Sequence, residues 1–316
     1  MPETFAIQTR NLTRHFKQRV AVEDVSLEVR PGEVFGFLGP NGSGKTTTIA
    51  MLLGLIAPTR GQAMVLGHDV QRATADALRG VGAMIEQPAF YPYLSGRNNL
   101  RVLARVGNVP ESRIDAVLKL VDLEERAKDR FKTYSQGMKQ RLAIAAALLP
   151  DPQVIILDEP TNGLDPSGMV EIRDLIATLS GQGHTIFLSS HLLFEVEQVC
   201  HRVAILKEGR VLAQGTVDEL LQRGRGIQVR VASDPARAVE VLRSVDWVGD
   251  IQQQDHVLIV AAPGSRTPEI NALLARHDIP VAEIRAHEGS LEQFFLEITH
   301  DEKGAPQGGG GAAGGG

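Results

Sequence analysis

Residues 4 to 38 alternate apolar and polar positions, as in FAIQTR and VSLEVR, which predicts antiparallel strands with one face in water. VFGFLG follows as an apolar strand, then a glycine-rich loop and a helical stretch. VGAMIE, VIILD and TIFLSS are further apolar strand candidates, separated by helical segments such as Gly168 to Leu179. Apolar strands with crossover helices predict a parallel sheet buried on both faces, a doubly wound α/β core. Residues 95 to 150 carry four helical segments with no strand between them, which reads as a helical subdomain. Near Gly224 the pattern changes to IQVRVA, PARAVEVLRSV, WVGDIQ, HVLIVAA, TPEINALLARH and PVAEIRA, closed by SLEQFFLEI. That order of strand, helix, strand, strand, helix, strand predicts a small α+β, ferredoxin-like unit. The tail KGAPQGGGGAAGGG is a flexible linker by composition.

The expected organisation is therefore a nucleotide-binding domain over 1–223, with its helical subdomain at about 95–150, an accessory domain over 224–302 and a tail over 303–316. Composition narrows the class. With 43% hydrophobic residues in 316, the chain can bury substantial cores. Its 33 Lys and Arg against 38 Asp and Glu give a net charge of -5, which offers no basic surface for nucleic acid. Cys200 is the single cysteine, so an intrachain disulfide and a structural zinc site are excluded and a reducing compartment is expected. The start MPETFAIQTR lacks the charged-then-apolar pattern of a signal peptide. The longest apolar runs, Ile49 to Ala57 and Leu142 to Leu149, fall short of the ~18 residues that cross a bilayer.

The chemistry starts at GPNGSGKTTT, where Gly39, Gly44, Lys45 and Thr46 complete G-x-x-x-x-G-K-[ST] between a strand and a helix. Asn41, Gly42 and Thr47 belong to the same loop and helix start. Backbone N–H groups there cradle phosphates, Lys45 reaches the terminal ones and Thr46 can hold Mg²⁺. VIILDEP then ends an apolar strand in two carboxylates whose side chains point opposite ways. Asp158 is expected toward the Mg²⁺ and Glu159 toward the water that attacks the γ-phosphate of ATP. A second anion-attracting feature is YSQGMKQRLAIAAALL, a long apolar helix opening on a serine and a glycine.

The P-loop, helical segment, serine-glycine helix start, D-E-P-T-x-G-L-D-P and a histidine after the next strand occur in that order over about residues 4 to 223. Together they resemble the ATPase subunit of ABC transporters. The resemblance implies a P-loop ATPase core with an antiparallel β-subdomain and a helical subdomain, a head-to-tail homodimer around two ATP, and a separate membrane permease. In such a dimer the signature helix of one copy caps the γ-phosphate held by the other, which would explain two phosphate-seeking features in one chain. Ser135 and Gly137 match the serine and second glycine of the family's L-S-G-G-Q, while Tyr134, Gln136 and Met138 depart from it. Gln87 resembles the glutamine that approaches metal and attacking water, and His191 the histidine that contacts the γ-phosphate. Asp165 matches a loop aspartate at the dimer interface, and Phe16 stands where an aromatic stacks on adenine.

By resemblance the subunit works at the cytoplasmic face of the membrane. EQPAFYPYLSGRNNL, YSQGMKQRL and LEQFFLEIT are similar to the branch that exports antibiotics, drugs and peptides. The loop carrying Phe90, Tyr91, Tyr93 and Leu94 then receives the permease, with packing inside the helical subdomain as the other use of those side chains. An ABC ATPase of DNA repair or translation is the alternative; those proteins generally carry paired ATPase units, zinc modules or a coiled-coil insertion, and none is visible here. For the C-terminal unit, small-molecule sensing competes with dimer stabilisation or permease contact.

Overall fold

The computed structural model describes residues 5–86, 89–223, 225–287 and 289–301. The chain divides between Thr216 and Val217 into two compact units. The first begins β1 (Ile7–Phe16), β2 (Arg19–Val29), β3 (Val34–Leu38), α1 (Lys45–Leu52), β4 (Arg60–Val65), β5 (His68–Asp69), α2 (Thr74–Leu78) and β6 (Val81–Met84). It continues through α3 (Gly96–Val106), α4 (Glu111–Leu120), α5 (Gln136–Leu148), β7 (Val154–Asp158) and α6 (Pro166–Gly181). β8 (Thr185–Ser190), α7 (Leu193–Glu197), β9 (Arg202–Lys207) and β10 (Arg210–Thr216) complete it.

The alternating N-terminal segments form the antiparallel pair β1–β2, and β4 and β5 extend it to the order β2-β1-β4-β5. The apolar strands build a second sheet in the order β10-β9-β3-β8-β7-β6, parallel throughout except for the antiparallel edge strand β10. Every residue of β3, β7 and β8 is buried, as uninterrupted apolar strands require when both faces are covered. Phe187 on β8 packs against the neighbouring strand β3: its ring stacks on Phe35 at 5.8 Å and meets Phe37 at 5.3 Å between centroids. The parallel strands all end on one edge of the sheet, and P-loop, carboxylate pair and histidine follow three of those ends. Cys200 lies against Gly36 in this core, where burial drives its thiol pKa far upward.

Of the four helical segments expected over 95–150, α3, α4 and α5 are α-helices and the fourth is one 3₁₀ turn, Phe131–Thr133. The reason is a competing backbone partner. Phe131 N donates to Leu94 O at 2.9 Å, Lys132 N to Pro92 O at 3.0 Å and Arg97 N to Ala127 O at 2.9 Å, which commits the segment to a loop pairing.

The second unit contains α8 (Val217–Arg223), β11 (Gly226–Val231), α9 (Pro235–Arg243), β12 (Ile251–Gln254), β13 (Val257–Val260), α10 (Thr267–Arg276), β14 (Val281–His287) and α11 (Leu291–Asp301). Its sheet has the order β12-β13-β11-β14, with every pair antiparallel. Alternate residues of β11 and β13, Ile227, Val229, Leu258 and Val260, meet Ala238, Leu242, Ile270 and Leu274 of α9 and α10 in a separate core. Among the described residues no helix is long and apolar enough to cross a membrane.

Candidate functional site

The site lies where β3, β7 and β8 end. Beyond β3 the chain turns through Gly39 to Gly44 into α1, whose first turn has no side-chain cap, so its N–H groups remain open to an anion. Gly44 is required by geometry: its φ is +107°, and a Cβ there would stand 2.6 Å from Ala21 O. Lys45 is buried and its ammonium donates to Gly39 O at 2.7 Å and Pro40 O at 3.3 Å.

Asp158 closes β7 and is held from two sides. Thr46 Oγ1 donates to its Oδ2 at 2.9 Å, and the Ser189 hydroxyl donates to Oδ1. At Glu159 the backbone turns to a φ of +50°, and its N–H is fixed by Ser189 O at 3.2 Å and Ser189 Oγ at 3.1 Å. That turn separates the two carboxylates. Glu159 Oε1 lies 3.1 Å from Lys45 Nζ, an ionic contact without directed hydrogen-bond geometry, and Oε2 lies 2.7 Å from His191 Nδ1. Lys45, Glu159 and His191 thus form a row, with a carboxylate between an ammonium and an imidazole.

A groove of about 350 Å³ is lined by Phe16, Arg19, Asn41, Gly42, Gly44, Lys45, Thr46, Thr47 and Glu159. Gly39 contributes its carbonyl to the lysine. The Phe16 ring is 44% exposed, and Arg14 stands 4.6 Å from its centroid, occupying one face. A neighbouring cavity of about 250 Å³ joins Thr46, Asp158 and Glu159 to Glu86, Asn162 and to Gln136 and Gln140 of α5. Gln87 lies outside the described residues.

Ser135, Gly137 and Asp165 line a different groove, of about 430 Å³, which shares no lining residue with the P-loop groove. Ser135 caps α5 by accepting from Met138 N at 3.2 Å, and Asp165 caps α6 by accepting from Gly168 N at 2.8 Å. Two capped helix starts therefore face one concavity. The aromatic loop divides: Phe90 packs edge-on against buried Phe131 at 5.1 Å, while Tyr91 and Tyr93 are 59% and 77% exposed.

Sequence reasoning missed Ser189 and Arg19. Ser189 pairs with Asp158 in the β7–β8 register, so strand pairing was its signal. Arg19 starts β2 in the antiparallel sheet, far from the P-loop in sequence, and carries no motif.

The family profile described as ABC transporter matches residues 22–162. An uncharacterized ABC transporter ATP-binding protein of Bacillus subtilis (strain 168) is 41% identical over 300 residues, covering 94% of this chain and 97% of that one. The chain belongs to the ABC transporter ATP-binding family. A bacitracin transport ATP-binding protein of Bacillus licheniformis is 40% identical over 295 residues, 92% of this chain and 96% of the relative. An ATP-binding cassette solved as a dimer in a post-hydrolysis state with ADP and Pi is 25% identical, with a TM-score of 0.61, over 67% of this chain and 98% of that one. This ABC protein is accordingly an ATPase cassette, of the kind that hydrolyses ATP to power transport.

Gly44→Ala is expected to destabilise the first unit by about 1–3 kcal/mol, through strain at positive φ and crowding against Ala21 O. ATP affinity should fall at least about tenfold with it, since the loop's N–H groups lose their aim. Titration calorimetry with ATP and thermal unfolding measure the two effects; wild-type affinity would show that the loop adopts its working shape without this conformation.

Proposed function

We propose that two copies of this ABC ATPase close head to tail around two ATP and drive a separate integral-membrane permease from the cytoplasmic face, exporting a hydrophobic antibiotic, drug or peptide. The observation that carries this reading is where the capped end of α5 faces: Ser135 and Gly137 line a groove that has no lining residue in common with the P-loop groove, and of α5 only Gln136 and Gln140 reach the cavity beside Thr46. A helix N-terminus facing an open concavity suits an anion delivered by another copy. The dimeric relative bound to ADP and Pi supports that arrangement. The bacitracin relative, and a daunorubicin resistance ATP-binding protein of Streptomyces coeruleorubidus, favour export over DNA repair or translation.

Within one site, Lys45 and the uncapped start of α1 bind the phosphates, and the free face of Phe16 stacks on adenine. Thr46 and Asp158 present an oxygen-only donor pair that fits Mg²⁺ and would hold it, with Gln87 as a further ligand. The ion, when bound, draws charge from the phosphate oxygens. Glu159 accepts the proton of the attacking water, and His191 orients its carboxylate through the 2.7 Å contact. The second unit, with its βαββαβ order, is a ferredoxin-like accessory domain that supports the dimer or the permease contact. Tyr91 and Tyr93 provide the permease contact on the first unit, as large rigid side chains left in water.

Three substitutions test the reading. Glu159→Gln is expected to retain ATP binding while turnover falls by roughly 10² or more, because an amide accepts no proton; turnover near wild type would remove Glu159 as the base. Ser135→Arg should leave ATP affinity of dilute monomer intact and abolish ATP-driven dimerisation by analytical ultracentrifugation. Equal loss of affinity in the monomer would mean that Ser135 serves its own P-loop. Replacing Tyr91 and Tyr93 together by alanine should weaken capture by the co-purified permease at least about tenfold, as loss of two aromatic anchors does, with melting temperature preserved. A large drop in melting temperature with unchanged capture would assign both rings to subdomain packing.

A further inference from the structure

The segment before the signature helix is bonded, residue by residue, to the loop that exposes Tyr91 and Tyr93. Lys132 N donates to Pro92 O at 3.0 Å, Phe131 N to Leu94 O at 2.9 Å, Gly96 N to Asp129 O at 3.1 Å and Arg97 N to Ala127 O at 2.9 Å. Ser95 and Arg130 form an antiparallel bridge between them. Asn99, fully buried on α3, holds the loop from beneath: its Oδ1 accepts from Tyr91 N at 2.8 Å, and its Nδ2 donates to Tyr91 O and Ser95 O, both at 3.1 Å. A satisfied buried amide of this kind fixes backbone shape, since breaking it strands polar groups away from water.

Side chains continue the same link. Phe90 meets Phe131 at 5.1 Å, and Phe131 meets Tyr134 at 5.9 Å, so three rings run from the loop to the residue immediately before Ser135. Tyr134 is 4% exposed and its hydroxyl donates to Arg126 O at 2.8 Å. Desolvation holds its pKa above the usual phenol value, so it remains a donor throughout the neutral range. The hydroxyl sits where position 96 has no side chain: a Cβ on Gly96 would come within 2.2 Å of it and 3.0 Å of the ring carbon that bears it. Gly96 begins α3 and Tyr134 precedes α5, so one close contact spans the starts of two helices.

We propose that Tyr134 is a positioning residue whose phenol, wedged over Gly96 and bonded to Arg126 O, locks the Ser135 end of α5 to the loop bearing Tyr91 and Tyr93. The exposed aromatics and the anion-facing helix start then move as one body, and displacement at the loop reaches the phosphate without loss in soft intervening structure. This role rests on the reading that Ser135 faces ATP held by a second copy. Tyr134 touches neither nucleotide nor permease and acts through Ser135.

The test uses the full chain with Gly96→Ala, Tyr134→Phe and the double substitution. Turnover is read with Glu159 intact, ATP-driven dimerisation in a Glu159→Gln background, and ATP affinity on dilute monomer. Tyr134→Phe removes one hydrogen bond, for which turnover and dimerisation are expected to fall about fivefold. Gly96→Ala, which forces the phenol out of its seat, should lower both roughly tenfold or more. The double substitution should recover most of the way to the level of Tyr134→Phe alone, because the hydroxyl 2.2 Å from the new methyl is gone and the ring carbon at 3.0 Å has only a few tenths of an ångström to yield. Monomer ATP affinity should stay at the wild-type value in all three.

That rescue shows that the two positions act through one contact, and monomer ATP affinity held at the wild-type value separates positioning from general destabilisation. Additive losses, unchanged dimerisation in Tyr134→Phe, or a fall that tracks monomer ATP affinity would each overturn the proposal. If Gly96→Ala does not fold, Tyr134→Phe decides the matter alone, since it removes an atom and adds none. If the Glu159→Gln protein with Gly96 and Tyr134 intact fails to dimerise with ATP, the dimer reading itself falls and the proposal with it. Dimerisation there that is indifferent to Tyr134→Phe removes only the proposal.

Discussion

Asp158 hangs between two hydroxyls, one from Thr46 on the helix after the P-loop and one from Ser189 on the neighbouring strand. Each contact fixes something different. Thr46 ties the start of α1 to the sheet edge, and Ser189 also holds the backbone of Glu159 and therefore its left-handed turn. Without that turn, strand alternation alone would not bring the second carboxylate between Lys45 and His191. A buried carboxylate with both oxygens bonded is costly to disturb, so the arrangement is set before any nucleotide arrives. Residues from three strand ends are held in place through one side chain.

The sheet edge brings one open helix start to a groove, and two capped helix starts face another. Gly44, Ser135 and Asp165 stand at the N-termini of α1, α5 and α6 respectively. The first offers bare N–H groups, whereas the others are already capped by their own side chains. Capping lowers the demand for a strongly bound anion, so the second groove suits a ligand that comes and goes. That difference is what the proposed head-to-tail dimer requires, with one phosphate contact lasting and the other made and broken.

Much of the architecture was readable because buried parallel strands are apolar throughout, and VFGFL, VIILD and TIFLSS allow little else. The C-terminal unit was readable for the opposite reason: alternation such as Ile227, Val229, Val231 marks a sheet with one covered face. Local motifs located the P-loop and both carboxylates. What stayed hidden depended on partners distant in sequence. RGQAMV gained its place only by pairing with β1, and residues 121–134 gave up a helix for bonds to 92–97. Arg19 and Ser189 entered the site by register rather than motif. Tyr134 read as a departure from a family signature, whereas its meaning lies in Gly96, a position with no side chain to notice.

Cys200 is the chain's single thiol, buried against the underside of β3 with its ionisation suppressed. Thiolate is the reactive form, so maleimide and similar reagents find almost nothing to attack in the native protein. Any cysteine introduced on the surface becomes the only labelling site without first removing the natural one. A spin label or fluorophore placed on the aromatic loop, and another beside Asp165, would therefore report the distance between those two places in a protein whose core sequence is untouched.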